Sequence, residues 1–324
     1  MKSRLMRKLL AWGLLTVPAM LPAEEVTCAS AHSMDGLMAR WTVGFNASHP
    51  TTPARIVRRA QFSADFVEPL ARGDVVVASF ARELFASERA AFVARAGGEP
   101  HLVPVATGSR ATKGGTHAIV FFVNAHNPIT HLAMTQLREI WKSEGTLTTW
   151  GQLGLTGEWT HRRISLHGMR PRRDTGNPPG IVNFLESRLL AGDGWSRDLH
   201  SYVDVPGGEQ SLEQIVRAVA ADEGAIGYSG FAYAVPGVKA LALGETESGP
   251  FFAGSAGEIA SRRYPLARTL YLCTGPSPDA AAREFIAYVL SPAGQRAITG
   301  DDQKFFSYNA TSTLHLPDHP DSPP

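Results

Sequence analysis

Residues 26–45 read VTCASAHSMDGLMARWTVGF, and their reading sets the pattern for the rest of the chain. Val26–Ala29 is a strand-like run. Met34, Leu37, Met38, Trp41 and Phe45 then recur at i, i+3, i+4, i+7 and i+11, the single apolar stripe of an amphipathic helix. Ser33 just ahead of the stripe and Asp35 in its first turn predict a helix start capped by Ser33. Arg55–Arg59 follows as a short strand. Phe66, Val67 and Leu70 mark a second helix, with Ser63 as its N-cap and Gly73 as its stop. Val75–Ser79 is a continuous apolar run of the buried-strand type. A β-α-β-α-β alternation of this kind predicts a parallel sheet with helices on its faces.

Further along, Ala118–Asn124 is a strong apolar strand closed by Asn127-Pro128. Leu132, Leu137, Ile140 and Trp141 predict a helix, Arg163–Leu166 a strand, and Gly168–Gly180 a long loop rich in Arg, Pro and Gly. Helices are expected from Ile181 to Leu189, from Leu212 to Val219 and over Asp279–Leu290. Strands are expected at Ala225–Tyr228, Val238–Leu243 and Tyr264–Cys273. The last ten residues, 315–324, carry four Pro and are expected to form a disordered tail. There is no internal repeat and no long linker, so two lobes would share the chain through extended crossings.

The 324 residues are 44% hydrophobic and 19% charged, enough apolar chain for a real core and too apolar for disorder. The N-terminus reads as a secretory leader. Lys2, Arg4, Arg7 and Lys8 form a basic start, Leu9–Met20 an apolar stretch broken by Pro18, and Ala23 a small residue at the cut before Glu24. The apolar stretch is shorter than the roughly 20 residues a membrane span needs. Removing residues 1–23, with their four basic side chains and no acids, takes the chain from a charge of +1 to −3 over 301 residues. That balance excludes an electrostatic nucleic-acid binder. An oxidising compartment makes Cys28 and Cys273 either a disulfide or two small buried hydrophobes. No Cys/His spacing fits a metal site, and no nucleophile elbow, zinc-protease helix or phosphate-binding loop is present. The sequence therefore predicts a non-enzymatic protein with neither cofactor nor metal.

Eight segments in order resemble the substrate-binding proteins of ABC phosphate importers, the PstS-like branch of the periplasmic binding-protein fold. They are Ala31-His32-Ser33-Met34 with Trp41 and His49-Pro50; Phe62–Gly73; Arg82, Leu84 and Glu88; and Val123-Asn124 with Asn127-Pro128. Trp150-Gly151-Gln152-Leu153-Gly154, Ala225-Ile226-Gly227-Tyr228-Ser229, Tyr264-Pro265-Leu266-Ala267-Arg268 and Tyr288–Gln295 complete the set. The resemblance spans roughly residues 26–300. It implies a two-lobed α/β fold, each lobe a mostly parallel sheet flanked by helices, joined by hinge strands. Lobe 1 would be 24–115 plus 268–314 and lobe 2 would be 116–267.

The same resemblance implies a monomeric periplasmic receptor that binds phosphate or a related oxyanion in the interlobe cleft and hands it to an ABC permease. An alternative is the same fold with a degenerate cleft, acting on a sensor or another protein. The candidate ligand residues are Ser33, Met34, Ser63, Arg82, His117, Arg170, Thr175 and Gly176. Helix starts at Ser33-Met34 and Ser63 would offer free N–H groups and hydroxyls to an anion. Arg82 and Arg170 would offer the planar fork that matches an oxyanion. His117 stands where the family commonly has Asp, and its charge would change near neutral pH. The family's Ser-Gly-Thr anion loop has two possible counterparts here, Thr175-Gly176-Asn177 and Pro179-Gly180-Ile181.

Overall fold

The apolar stripe is buried along its whole length: Met34, Leu37, Met38, Trp41 and Phe45 are fully covered. In the computed structural model, which describes residues 25–60, 62–110, 113, 116–170, 180–202, 209–299 and 305–307, the last four of these lie on α1 (Asp35–Ser48). The leader and the tail fall outside the described residues, and so do Thr175 and Gly176.

The helix does not start as predicted. A 3-10 turn, His32–Met34, runs straight out of the first strand, and Ser33 lies inside it without capping anything. Ser63 likewise sits within a 3-10 turn, Ser63–Phe66, ahead of α2 (Val67–Arg72). In both turns the extended N-cap position is taken by another residue, Ala31 or Phe62, and the serine stands inside the turn instead. Gly73 does stop α2, in the left-handed conformation at φ 77°.

The remaining helices are α3 (Ala86–Ala96), α4 (Met134–Trp141), α5 (Gly180–Leu185), α6 (Glu209–Ala221), α7 (Ala256–Ala260), α8 (Ala280–Leu290) and α9 (Pro292–Arg296). The strands of the first half are β1 (Val26–Ala31), β2 (Ala54–Ala60), β3 (Val77–Phe80), β4 (His101–Gly108), β5 (Ile119–Asn124) and β6 (His131–Ala133). Those of the second are β7 (Ser165–Gly168), β8 (His200–Ser201), β9 (Ala225–Gly230), β10 (Val238–Ala240), β11 (Ala242–Gly244), β12 (Thr269–Thr274) and β13 (Phe305–Ser307).

They form a six-stranded sheet in the order β13-β4-β12-β3-β1-β2 and a five-stranded sheet in the order β10-β5-β9-β7-β8, with β11 and β6 as a small ribbon. The expected strand over Val238–Leu243 is thus divided between two sheets. The one expected from Tyr264 begins only at Thr269, after a turn closed by Ala267 N–H on the Tyr264 carbonyl at 3.0 Å.

Each sheet has a parallel part, β3-β1-β2 or β9-β7-β8, as the strand–helix alternation demands. The strand that arrives by a crossing is antiparallel: β12 to β3 and β4 in the larger sheet, β5 to β9 in the smaller. The two crossings run side by side. Gly108 N–H donates to the Arg268 carbonyl at 2.8 Å and Ile119 N–H to the Leu266 carbonyl at 3.1 Å, so the passage between the sheets is a paired hinge rather than two free loops.

Helices α1 and α8 pack one face of the larger sheet through Trp41, Phe45, Phe285 and Val289, and α2, the turn before it and α3 pack the other through Leu70, Phe66 and Phe92. This two-sided packing decides the cysteine question. Cys28 pairs with Val77 and Cys273 with Ala78 on the intervening strand β3, and consecutive residues of a strand point to opposite faces. The two thiols therefore lie in different cores, two strand spacings or about 10 Å apart. A bridge needs Cα atoms within about 7 Å. Both cysteines are free and buried, and burial pushes both thiols up to about 12.

Candidate functional site

In open α/β sheets a ligand crevice forms beyond the carboxyl ends of the parallel strands, where loops and helix starts expose unpaired backbone groups. Here that edge of the larger sheet carries Ser33 and Met34 after β1, Ser63 after β2, and Ala81-Arg82 after β3. The edge is knitted together by side chains: Ala31 N–H donates to Ser79 Oγ at 2.9 Å, and Ala81 N–H to Ser63 Oγ at 3.4 Å. Ser33 is half-buried, whereas the Met34 side chain lies wholly in the core. What Met34 can offer a ligand is its backbone.

The corresponding edge of the smaller sheet carries Met169-Arg170 after β7, with α5 beginning at Gly180. The start of α5 coincides with the second of the two proposed anion-loop counterparts, Pro179-Gly180-Ile181. The first, with Thr175 and Gly176, is not among the described residues.

The two arginines singled out in the sequence are both committed elsewhere. Arg82 forms a two-point ion pair with Glu88, Nη1 to Oε2 and Nη2 to Oε1 each at 2.7 Å. It also donates to the Glu83 carbonyl at 2.8 Å, and its guanidinium stacks over the Phe85 ring at 4.1 Å. Glu88 in turn accepts the Phe85 N–H at 2.9 Å, so the pair fixes the start of α3. Arg170 directs Nη2 at three carbonyls, of Ser196, Arg197 and Leu199, at 2.9, 2.7 and 3.2 Å. It holds the loop before β8 in place. The Arg82 fork is thus filled by Glu88, whereas Arg170 keeps its Nε buried without an acceptor.

His117 is placed by the hinge. A bridge between Ser109 and His117 and the Ala118 N–H bond to the Ser109 carbonyl at 2.9 Å turn the imidazole toward the end of β9. There it is buried against the backbone of Gly230 and the ring of Tyr233, 5.8 Å away.

The residue the sequence reading passed over is Arg268. It leaves the hinge at the entry to β12 and is only 4% exposed. Its Nη2 reaches the Ala81 carbonyl at 3.3 Å on one side and the Gly180 carbonyl at 3.5 Å on the other, spanning the crevice between the two sheets. Its guanidinium also lies 5.5 Å from the centre of the Phe184 ring. Burial is the main cause that brings its pKa down to about 10; Glu83 opposes that shift and Arg82 adds to it. The signal was present in the Tyr264–Arg268 stretch, but an arginine at the mouth of an apolar run reads as the start of a strand.

Two α/β sheets joined by a hinge of two paired crossings, with a buried guanidinium that touches the end of β3 and the start of α5, make a two-lobed architecture. The sequence model of the PBP superfamily domain matches residues 21–293, and the chain belongs to that family. It is 28% identical over 287 residues to the phosphate-binding protein PstS of Pseudomonas aeruginosa, covering 86% of this chain and 81% of that one. Among solved structures it resembles PstS from Borrelia burgdorferi, with a TM-score of 0.60 and 16% identity over 88% of this chain and 98% of the other. It also resembles an ABC-type phosphate transport receptor from Vibrio cholerae, with a TM-score of 0.58 and 18% identity over 87% and 99%. At such identities these likenesses bear on the fold.

Proposed function

We propose that the chain is an exported, non-enzymatic receptor that closes its two lobes on phosphate or a related oxyanion and presents it to an ABC permease. The observation that carries this reading is the paired hinge between two α/β sheets, with a buried cation touching both, in a chain 28% identical to a phosphate-binding protein over most of its length. The lobes are 24–115 with 268–314, and 116–267; residues 1–23 are a leader removed in the periplasm, where the mature receptor works as a monomer.

Within the cleft, the Ser33 and Met34 backbone N–H groups and the Ser63 hydroxyl approach the ligand from lobe 1. Thr175 and Gly176, in the Arg-rich loop after β7, approach from lobe 2. An acidic protein can hold an anion this way because converging local donors, not the overall field, supply the attraction.

The test is calorimetry on protein stripped of carried-over ligand by unfolding and refolding, titrated with phosphate, arsenate, sulfate and molybdate. Saturable one-site binding to at least one of them is expected. No heat and no thermal shift with any would end the oxyanion reading and favour the degenerate-cleft protein that acts on a sensor.

A further inference from the structure

Arg268 is a feature of the crevice that its hydrogen bonds leave unexplained. A guanidinium carries five N–H donors and a fixed positive charge, and a buried one is ordinarily matched by a carboxylate. Arg82, nearby, has Glu88. Arg268 has no carboxylate partner among the described residues: its hydrogen bonds are the two long ones from Nη2 to the Ala81 and Gly180 carbonyls. Its Nε is buried without any acceptor, and Nη1 donates to no described residue. Glu83, the acid whose charge it senses, accepts the Tyr271 hydroxyl at its Oε1.

Leaving such a charge unmatched is costly, and its position is not arbitrary. It stands where lobe 1 and lobe 2 meet, one residue from Arg82 through Ala81 and directly against the first residue of α5. Ala81 ties it to the proposed ligand residues as well, since its N–H is the donor to Ser63 Oγ and its carbonyl the acceptor of Arg268.

We infer that Arg268 is an anion-binding arginine of this protein, its unpartnered Nε–H donating to an oxygen of a small oxyanion or carboxylate held between the lobes. It supplies a countercharge that Arg82, paired with Glu88, does not. Because it already touches both lobes, the same side chain couples anion capture to closure. The inference rests on the receptor reading for the location of the ligand, but not for its chemical identity.

The experiment compares the full mature chain with Arg268→Lys and Arg268→Met by calorimetry at constant ionic strength, against phosphate, arsenate, sulfate, molybdate and the carboxylates citrate and malonate. Loss of a buried charge partner predicts weakening of about a hundredfold or more for Arg268→Met and an intermediate loss for Arg268→Lys, with unchanged circular dichroism. If the wild type binds an oxyanion and Arg268→Met binds it within about threefold, the arginine inference is overturned and the receptor reading stands. Arg268-dependent binding of a carboxylate alone would overturn the oxyanion reading and keep the inference. Binding of none of these anions overturns both. Should Arg268→Met fail to fold, the wild-type protein decides: its Arg268 Nε–H nitrogen resonance, assigned by its loss in Arg268→Lys, must shift on adding the anion that binds, and a stationary resonance overturns the proposal.

Discussion

The imidazole of His117 lies against the Cα of Gly230, so closely that a methyl group on that glycine would stand 2.4 Å from His117 Cδ2. Gly230 has ordinary extended dihedrals, so its need is for space and not for an unusual backbone. Gly230→Ala is therefore expected to destabilise the protein by about 1–3 kcal/mol, read as a lower urea midpoint at an unchanged slope. Adding His117→Ala should recover part of the loss. Strict additivity of the two would show that the contact is not the cause.

Glu88 is nearly enclosed with Arg82 and caps α3 as well, so neutralising it strands a buried cation. Glu88→Gln is expected to cost about 3–5 kcal/mol. Replacing both partners by apolar residues should cost less than this single change. Differential scanning calorimetry of the three variants checks the order, and a double variant less stable than Glu88→Gln would contradict it.

The cysteines give a chemical prediction. Denatured without reductant, the protein should take up two alkyl groups per chain from iodoacetamide, with the same intact mass before and after reduction. In the folded state both thiols should resist the reagent, because they are buried and burial pushes each up to about 12. A mass two hydrogens short before reduction would mean a bridge, and with it a different register for the larger sheet.

A pH dependence follows from His167 on β7. Its Nδ1 is 3.0 Å from the Tyr202 hydroxyl and its Nε2 3.3 Å from Ser165 Oγ, and the His200 ring stacks on it at 5.1 Å. Burial lowers its pKa, with the neighbouring His200 adding to the effect and Asp222 opposing it. As pH falls below about 6.5 the unfolded chain protonates this histidine before the folded one does, so its contribution is present above that value and is lost on acidification. The melting temperature should drop more between pH 7.5 and 5.5 for the wild type than for His167→Gln. Equal drops would remove His167 as the source.

The fold was legible where one residue's burial decides its structure. The stripe from Met34 to Phe45, the run at Ile119–Asn124 and the helix after Asp279 are periodic signals with no competing reading. The site was legible only as an address. Ser33, Ser63 and Arg82 do lie along one edge of the larger sheet. What each side chain meets there depends on partners that no periodicity encodes. Glu88 takes Arg82 from six residues away, whereas the Ala81 carbonyl meets Arg268 across 187 residues. The serine caps failed for a local reason, since a 3-10 turn and a capped α-helix open with the same residues. The cysteine bridge was undecidable until the strand order put β3 between β1 and β12.

The place of β12 has a further consequence, in the order of synthesis. The smaller sheet is built from residues 119–240, a continuous stretch that can pair its strands as soon as it has emerged. The larger sheet cannot do so. Its interior strand, between β3 and β4, is residues 269–274, and until these are made two of its earlier strands face a gap with their backbone groups unpaired. The lobe that begins the chain is thus the last to be completed, and a product that stops short of β12 would retain one sheet while leaving the other split down its middle.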